Sequence, residues 1–479
     1  MGQSGRSSPW HLCIVAHSYT DQKIFLTVLI CMHKQRSLHP SVIVVLGFIG
    51  VILLSTLVLM LPISRAEGTS SPDLMVAFFT AVSAVCVTGL TIVDTGTYWS
   101  TFGHVALLVM VQVGGLGMMV SATLLGLWAA RSLRLRMRML LQSETRALSM
   151  GDVSGVLRVV LITTLVIEST AALLMALRFA GAYDRDWNEA VWLGLFHAVS
   201  AFNNAGFSVF AGNLSGYAGD AWILVPVMLC VVIGGLGFPV LFELWQRVCT
   251  KGTFQRLSTH AHITLVGSCI LLALGLVGIL VFEWNNSRTL APLGSVHKWL
   301  AALFTSVVAR TAGFNVIDLG ALRTESYILH YLLMFVGAGS SGTAGGIKVT
   351  TLGILLAAVW SELRGHTDVE FAGRRIGSAV LRQALTLLVL ACGLIVIASL
   401  VIMPMVDLPY EHIMFEILSA FGTVGVSAGI TAQLPQAAQL ILTALMFIGR
   451  VGVVTLGVAL AVQPHRASYR YPEEKPIVG

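Results

Sequence analysis

The segment Ser419-Ala-Phe-Gly-Thr-Val-Gly425-Val-Ser427 decides the fold, because the chain contains three more segments of the same form. These are Ser83-Ala-Val-Cys-Val-Thr-Gly89-Leu-Thr91, Ser200-Ala-Phe-Asn-Asn-Ala-Gly206-Phe-Ser208 and Val307-Val-Ala-Arg-Thr-Ala-Gly313-Phe-Asn315. The glycines at 89, 206, 313 and 425 are 117, 107 and 112 residues apart. A second glycine follows each of them by 25, 28, 24 and 24 residues, at Gly114, Gly234, Gly337 and Gly449. Self-similarity at near-constant spacing predicts four copies of one structural unit.

The composition places these copies in a membrane. Of the 479 residues, 56% are hydrophobic and 11% are charged, whereas soluble globular proteins carry about 25% charged residues. The mean hydropathy is +0.84. The net charge of +6 is typical of a membrane protein whose basic loops set its orientation, and it does not indicate a surface that binds nucleic acid. We therefore expect contact with the lipid membrane and no nucleic-acid partner.

Eight apolar runs are long enough to cross a bilayer, which takes about 20 residues. They cover 41–62, 102–127, 155–180, 221–246, 262–283, 328–360, 377–403 and 436–462. Between the two runs of each pair lies a shorter apolar segment that ends in a glycine motif, at 73–87, 188–203, 295–310 and 409–423. Such a segment is tolerated at membrane depth as a re-entrant half-helix only where protein or a water-filled cavity satisfies its backbone.

The pattern predicts an all-α polytopic membrane protein. Four parallel span–half-helix–span repeats, with eight transmembrane helices and four re-entrant pore helices, would surround a central pore. The predicted units are a cytoplasmic N-terminal segment (1–40), pore repeats 1 to 4 (41–127, 155–247, 262–360 and 377–462) and a cytoplasmic tail (463–479).

Basic residues set the predicted orientation, because cytoplasmic loops carry an excess of Lys and Arg. They gather in the loops between repeats and in the tail, at Arg131, Arg134, Arg136, Arg138, Arg146, Arg247, Lys251, Arg256, Arg364, Arg374, Arg375, Arg382, Arg466 and Arg470. The opposite loops are mainly acidic. We expect both termini in the cytoplasm.

The four glycine motifs are candidates for a cation filter. A ring of backbone carbonyls can replace the water shell of an ion inside the membrane, and pointing successive carbonyls at one axis requires φ values that glycine adopts without strain. Half-helices that end at the ring would aim their partly negative C-termini at a cation. The alternative is that these glycines only let helices approach closely, which is less favoured for four glycines in register.

The sixth span is interrupted by Gly337-Ala-Gly-Ser-Ser-Gly-Thr-Ala-Gly-Gly-Ile-Lys348. Its first glycines match G-x-G-x-x-G, the pattern of dinucleotide-binding folds, but the run before them belongs to a membrane span and the chain lacks βαβ alternation. A segment so rich in glycine and hydroxyl residues cannot hold a lipid-facing helix, so we expect an irregular loop that lines the pore. A glycine-rich packing seam is the alternative.

Arg450 lies in the middle of the last span, where an unpaired charge costs about 2.5–3.5 kcal/mol even on the lenient insertion scale. It follows Gly449, at a position where the other repeats have Gly115, Gly235 and Ala338. It must face protein or water, either in the pore or paired with carbonyls or with the in-span carboxylate Glu168. For Lys348 two roles are open: it caps the glycine-rich loop, or it extends its amine to the cytoplasmic surface.

These motifs resemble the Ktr/Trk/HKT superfamily of potassium transporters. Thr311-Ala-Gly313 and Thr423-Val-Gly425 are similar to the Thr-Val-Gly core of potassium-channel filters, and eight spans look most like the membrane subunit of a bacterial Ktr system. The resemblance covers about 36–465.

The resemblance implies two sets of site residues. Filter carbonyls that bind K⁺ would come from Val87, Thr88, Gly89, Asn204, Ala205, Gly206, Thr311, Ala312, Gly313, Thr423, Val424 and Gly425. An intramembrane gate would consist of Gly337, Gly339, Ser340, Ser341, Gly342, Thr343, Gly345, Gly346, Lys348 and Arg450.

The resemblance also implies the setting of the protein. It predicts potassium uptake across the bacterial cytoplasmic membrane, stimulated by sodium in the manner of a symport. It further predicts a homodimer that is regulated by a cytoplasmic nucleotide-binding ring of the RCK type. No cofactor of its own is expected, and nucleotide would act only through that partner, which we expect to dock on the loops 131–146 and 251–256.

Departures from the family pattern leave alternatives open. The first and second turns have the sequences Cys86-Val-Thr-Gly89 and Asn203-Asn-Ala-Gly206, so the four turns of the predicted filter are not identical and should coordinate an ion less uniformly. A sodium or non-selective monovalent cation transporter is therefore the main alternative. Parallel repeats disfavour a transporter built from inverted repeats. A multi-span membrane enzyme is disfavoured because no nucleophile–base pair or metal-ligand cluster occurs in the spans, so we expect no enzyme activity.

Overall fold

A computed structural model describes residues 40–66, 68, 73–132, 153–249, 257–366 and 368–452. The predicted tail and most of the predicted N-terminal segment lie outside these ranges. So do the basic residues Arg134, Arg136, Arg138, Arg146, Lys251, Arg256, Arg466 and Arg470.

The first two repeats share one order of elements: a long helix, a short helix, a glycine turn and a second helix. In the first repeat these are α1 (Pro40–Met60), α2 (Leu74–Val85), the one-turn α3 (Thr95–Tyr98) and α4 (Thr101–Ser132). In the second they are α5 (Val153–Ala182), α6 (Trp187–Phe202), α7 (Ala221–Leu236) and α8 (Phe238–Cys249).

The last two repeats follow the same order. The third consists of α9 (Thr259–Glu283), α10 (Ser295–Val308), α11 (Thr324–Phe335) and α12 (Val349–Leu363). A two-stranded antiparallel hairpin, β1 (Glu370–Phe371) and β2 (Arg374–Arg375), leads into the fourth repeat. That repeat contains α13 (Ser378–Ile402), α14 (Tyr410–Gly422) and α15 (Gln436–Val451).

Local sequence explains where the short helices begin. Asp73 and Asp186 cap α2 and α6, because their carboxylates accept hydrogen bonds from the backbone amides of Met75 and Asn188. Pro409 precedes α14 and supplies no competing donor. The four short helices lie within two residues of the boundaries expected from sequence.

The second helix of the second repeat differs from the prediction. The run 221–246 was expected to form one span, but α7 ends at Leu236, and α8 leaves it at an angle of 100°. Gly237 lies at the bend with φ +88°, a region that strongly favours glycine. Pro239 follows it and cannot donate a helical hydrogen bond, so Gly-Phe-Pro was the overlooked signal for the break.

The last predicted span also contains a helix end. The helix predicted within 436–462 stops at Val451, and Gly452 has φ +91°. Gly452 and Gly237 occupy the same place, three residues after the second glycine of their repeats. Residues 453–462 lie outside the described part of the chain.

Four helices in the described ranges are long and apolar enough to cross a membrane, and the bent pair α7–α8 would make a fifth. They cover Val42–Met60, Val160–Ala182, Thr259–Glu283 and Ser378–Met405. The number of eight spans stays a prediction. Large apolar side chains on these helices point outward, and Leu54, Leu165 and Leu400 are each more than 60% exposed, as expected for surfaces that meet lipid.

The buried core lies around the short helices. Phe79, Phe196, Phe304 and Phe415, one from each short helix, are all but inaccessible to solvent. The protein is thus mostly helical, and each of the four short helices contributes a buried aromatic side chain to the core.

Candidate ion pore

The four glycine turns come together in one place. A methyl group added to Gly313 would lie 2.8 Å from the Cα of Gly206 and 3.2 Å from the carbonyl oxygen of Val424. One added to Gly89 would lie 3.4 Å from the Cα of Gly206, and one added to Gly425 would lie 3.0 Å from the Cα of Gly89. Each turn therefore contacts the next, and the fourth contacts the first. The repeats form a closed ring in chain order.

The backbone of three turns follows one pattern. Val87, Asn204 and Thr423 have φ between +49° and +60°, two residues before the glycine. The next amide, of Thr88, Ala205 or Val424, donates to the carbonyl of Ser83, Ser200 or Ser419 at 2.7–2.8 Å. This closes the helix end in the manner of a Schellman motif and leads directly into the glycine.

Serine side chains hold the same three turns. The hydroxyls of Ser83 and Ser419 accept from the amides of Gly89 and Gly425 at 3.0 and 3.1 Å. The Ser200 hydroxyl donates to the carbonyl of Phe207 at 2.8 Å. The third repeat has Val307 at this position, and its Ala312 amide bonds to the Val308 carbonyl instead.

A cavity of about 290 Å³ lies against the ring. All four glycines line it, together with polar groups that include Asp94, Ser208, Asn213, Asn315, Ser427 and Thr431. The side-chain amide of Asn213 donates to the carbonyls of Gly206 and Gly313 at 3.5 and 3.4 Å. The cavity therefore offers oxygen ligands and hydrogen-bond donors next to the four turns.

Two predicted filter residues contact each other through their side chains. With the amide oriented to satisfy its neighbours, the oxygen of Asn204 accepts from the Thr311 hydroxyl at 2.9 Å, and its nitrogen donates to the carbonyls of Ala201 and Val231 at 3.1 and 3.2 Å. This bond joins the second and third repeats directly below their glycines.

The predicted gate residues form an irregular loop, as their composition suggested. It runs from Gly337 to Lys348, and its ends are joined because the Gly337 amide donates to the Ile347 carbonyl at 2.8 Å. The loop packs closely on the fourth turn, since a methyl group added to Gly346 would lie 3.2 Å from the Cα of Gly422.

The break after α7 supplies acceptors for this loop. Gly339 donates to the Gly235 carbonyl at 2.9 Å, and Thr343 donates to the Gly234 carbonyl at 3.2 Å. In an unbroken helix the Gly235 carbonyl would face residue 239, which is a proline without an N–H. The carbonyl groups just before the bend at Gly237 thus accept hydrogen bonds from backbone amides of the loop.

Three cationic side chains donate to carbonyls of the loop. Arg450 is buried and donates to Thr343, and also to Gly114 of α4 at 2.9 Å. Lys348 donates to the carbonyls of Ala344 and Gly345 at 2.5 and 3.2 Å. Lys348 therefore caps the loop, and Arg450 both pairs with carbonyls and contacts the predicted gate.

Arg310 is the third cation, and it was not among the residues predicted for the filter or the gate. It is 6% exposed, and its guanidinium donates to the Gly337 carbonyl at 3.1 Å and to the Ser268 hydroxyl at 3.3 Å. A charged residue at the end of the apolar segment 295–310 was the available signal.

Glu168 has other partners than Arg450. Its carboxylate accepts from the side-chain amides of Gln112 and Asn203, at 3.4 and 3.2 Å. Within the described ranges, no group of three or more His, Cys, Asp or Glu side chains is arranged to hold a metal ion.

Comparison with known proteins identifies the family. Residues 14–471 match the model of the TrkH family, described as cation transport proteins. The chain belongs to this family. Its relatives include the Ktr system potassium uptake protein B of Bacillus subtilis (strain 168), which is 36% identical over 92% of this chain and 97% of that protein.

Two further relatives match over similar lengths. The Ktr system potassium uptake protein B of Vibrio alginolyticus is 35% identical over 93% of this chain and 96% of its own length. The potassium/sodium uptake protein NtpJ of Enterococcus hirae is 34% identical over 93% of this chain and 98% of its own length. The resemblance to the Ktr/Trk proteins is therefore confirmed.

The fold has a solved counterpart. The crystal structure of the potassium transporter TrkH from Vibrio parahaemolyticus superposes with a TM-score of 0.70, at 16% identity, over 92% of this chain and 91% of that one. Membership in a family of membrane cation transporters excludes the membrane-enzyme alternative.

Proposed function

We propose that this protein takes up potassium ions across a membrane through the ring of four glycine turns. The observation that carries this proposal is the closed contact of Gly89, Gly206, Gly313 and Gly425 against a polar cavity. Such a ring can present backbone carbonyls to one dehydrated cation. The names of the relatives, which refer to potassium uptake, favour potassium as the substrate.

The filter in this proposal consists of the three residues that end at each glycine. Val87 and Thr88 precede Gly89, Asn204 and Ala205 precede Gly206, Thr311 and Ala312 precede Gly313, and Thr423 and Val424 precede Gly425. Their carbonyls would hold K⁺ as transported substrate. The C-terminal ends of α2, α6, α10 and α14 add a partly negative potential at the ring.

The loop 337–348 acts as the gate. Five of its residues are glycines, and it lies between the bend after α7 and the fourth turn. Arg450 favours the closed position, because it ties the Thr343 carbonyl to α4 and places a positive charge beside the path of a cation. Ser340 and Ser341, at the tip of the loop, would move with it.

A monovalent cation transporter of lower selectivity is the second candidate. The unequal sequences of the four turns favour it, and so does the name of the Enterococcus hirae relative, which refers to potassium and sodium. Asn204 and Thr311 supply a side-chain contact to only two of the four turns, so the ring is less regular than one made of identical strands.

The remaining family features are also proposals. We propose a homodimer in the bacterial cytoplasmic membrane, with both termini in the cytoplasm, stimulated by sodium and regulated by a nucleotide-binding ring of the RCK type. No resident cofactor is required for the transport step.

Growth of a bacterial host that lacks its own potassium uptake tests the proposal. Expression of the wild-type chain should restore growth at micromolar to millimolar potassium, and growth with and without sodium tests the sodium dependence.

Gly425→Ser should weaken potassium affinity by about tenfold, because the residue has φ +88° and its added side chain meets the Thr88 carbonyl. Rescue of an unrelated auxotroph serves as the negative control, and failure of the wild-type chain to support growth would overturn the proposal.

A further inference from the structure

A carboxylate is buried immediately behind the fourth turn. Glu416 lies on α14, nine residues before Gly425, and its side chain is completely inaccessible. Its oxygens accept from the Ser427 hydroxyl at 2.5 Å, the Ala428 amide at 3.1 Å and the Thr431 hydroxyl at 2.9 Å. A carboxylate in this position connects the pore helix to the backbone that leaves the filter.

The groups that Glu416 holds form a wall of the cavity. Ser427 and Thr431 both line it, as does Gly429 between them. Ser427 additionally accepts from the Gly429 amide at 2.8 Å. Three hydrogen bonds to one fully buried side chain hold the segment 427–431 more firmly than a surface loop would be held.

The second repeat carries a comparable bond at the same positions. His197 lies nine residues before Gly206, and its Nε2 contacts the hydroxyl of Ser208, two residues after the glycine, at 3.0 Å. The Nδ1 proton of the ring is donated to the Leu193 carbonyl at 2.8 Å. The second and fourth turns face each other across the ring, so the two bonds act on opposite sides.

The first and third repeats have different residues there. Phe304 takes the place of Glu416 in the third repeat, and Thr80 takes it in the first. Within the described part of the chain, the Thr80 hydroxyl is buried without a hydrogen-bond partner. Among the described residues, the second and fourth turns thus have a side-chain hydrogen bond just after the glycine from the residue nine positions before it, and the first and third turns do not; the glycine spacing did not indicate this difference.

We propose that Glu416 is a positioning residue of the ion filter. Through Ser427 and Thr431 it fixes the backbone immediately outside Gly425, and thereby the discrimination between potassium and the smaller sodium ion. The inference rests on the proposed function, since it assigns Glu416 to the filter of a potassium transporter. The residue does not touch the ion.

Glu416→Gln tests this role, because glutamine keeps the shape but presents an amide NH₂ to donors that need an acceptor. The KM and the maximal rate of potassium uptake are measured in the host that lacks its own potassium uptake. Inhibition by added sodium then gives the discrimination between the two ions. We expect the discrimination against sodium to fall about fivefold, and the maximal rate per membrane-inserted protein to change less than about twofold.

Glu283→Gln is the matched control. Glu283 is equally buried and accepts from Ser326, the Thr289 hydroxyl at 2.6 Å and the Arg323 amide at 2.9 Å, but none of these partners lines the cavity. This substitution should lower the amount of folded protein without changing the discrimination. A purely structural role for Glu416 predicts the same behaviour for both variants.

Ser427→Ala gives a second measurement should the glutamine variant fail to reach the membrane. It should reduce discrimination in the same direction by about threefold, and the double variant should be no worse than Glu416→Gln alone. Wild-type discrimination in the inserted Glu416 or Ser427 variant, or an equal loss in Glu283→Gln, would overturn the inference. Failure of the wild-type chain to transport potassium would instead overturn the proposed function.

Discussion

In the first repeat the second helix runs unbroken from Thr101 to Ser132, whereas in the third repeat it stops at Phe335 and resumes at Val349. Both segments carry a glycine at the same place, Gly114 and Gly337. A methyl group added to Gly114 would collide with the carbonyl of Val85, at the end of the short helix of its own repeat. One added to Gly337 would collide with Gly345 of its own loop.

The difference shows what a glycine position specifies. In the first, second and fourth repeats the second glycine lets its helix pack on the last turn of the short helix, at Val85, Phe202 and Phe421. In the third repeat the atoms nearest to such a methyl group belong to Gly345 and Ile347 of the loop instead, and the side chain of Arg310, at the end of the short helix, donates to the Gly337 carbonyl. The glycine allows close approach or unwinding, and its neighbours decide which occurs.

The largest effect is expected where a helix breaks. Gly237→Ala should prevent accumulation of folded protein, because the residue has φ +88° and an added methyl group meets the Ser340 carbonyl; backbone strain alone costs about 1–3 kcal/mol. Gly117→Ala is the control, since Gly117 occupies the same position in the unbroken α4 and a methyl group there has no neighbour within 4 Å. Membrane-inserted protein and its thermal stability in detergent are the measurements. Equal stability of the two variants would contradict the assigned break.

A moderate effect is expected at the cations that hold the loop. Arg450→Ala should raise the maximal rate of potassium uptake about fivefold with little change in KM, because hydrogen bonds to the loop and to α4 are lost. Arg310→Gln should act in the same direction by about threefold, since it frees only the first residue of the loop. Initial uptake rates over a range of potassium concentrations measure both.

The control for the arginine variants is Arg178→Gln, because Arg178 pairs with Asp220 at 2.8 Å, whereas Arg450 and Arg310 donate to carbonyls of the loop. It should leave the maximal rate unchanged. A change in KM without a change in maximal rate for Arg450→Ala or Arg310→Gln would assign these residues to the filter instead of the gate.

The smallest effect is expected at the serine that the first, second and fourth turns share and that the third turn replaces with Val307. Ser419→Ala removes one hydrogen bond to the Gly425 amide, which is worth about 0.5–1.5 kcal/mol, and should weaken potassium affinity about threefold. Val307→Ser introduces the serine into the third turn. It should not improve the affinity for potassium, because the backbone of that turn has another conformation. Competition of potassium with labelled rubidium measures both variants, and an improved affinity in Val307→Ser would show that the third turn only lacks the hydroxyl.

Much of the arrangement was predictable because it depends on local properties. The short helices and their glycine ends follow from the length of the apolar segments and from the helix caps. The irregular loop follows from its glycine-rich sequence, because backbone that is not helical needs hydrogen-bond partners within the membrane. The break at Gly237 was also encoded locally, by Gly-Phe-Pro, but a hydropathy run does not register it. Arg310 was overlooked because its charge lies within an otherwise apolar segment.

The sequence by itself predicted that the protein lies in a membrane and repeats one unit four times, since apolar length and glycine spacing can be counted along the chain, and its glycine motifs resembled those of potassium transporters. Only the tertiary structure decided which carbonyls Arg450 and Arg310 hold, which turns are supported by Glu416 and His197, and how the loop and the break after α7 satisfy each other. These contacts join residues as far apart as Gly114 and Arg450, and one sequence alone does not pair distant donors with their acceptors.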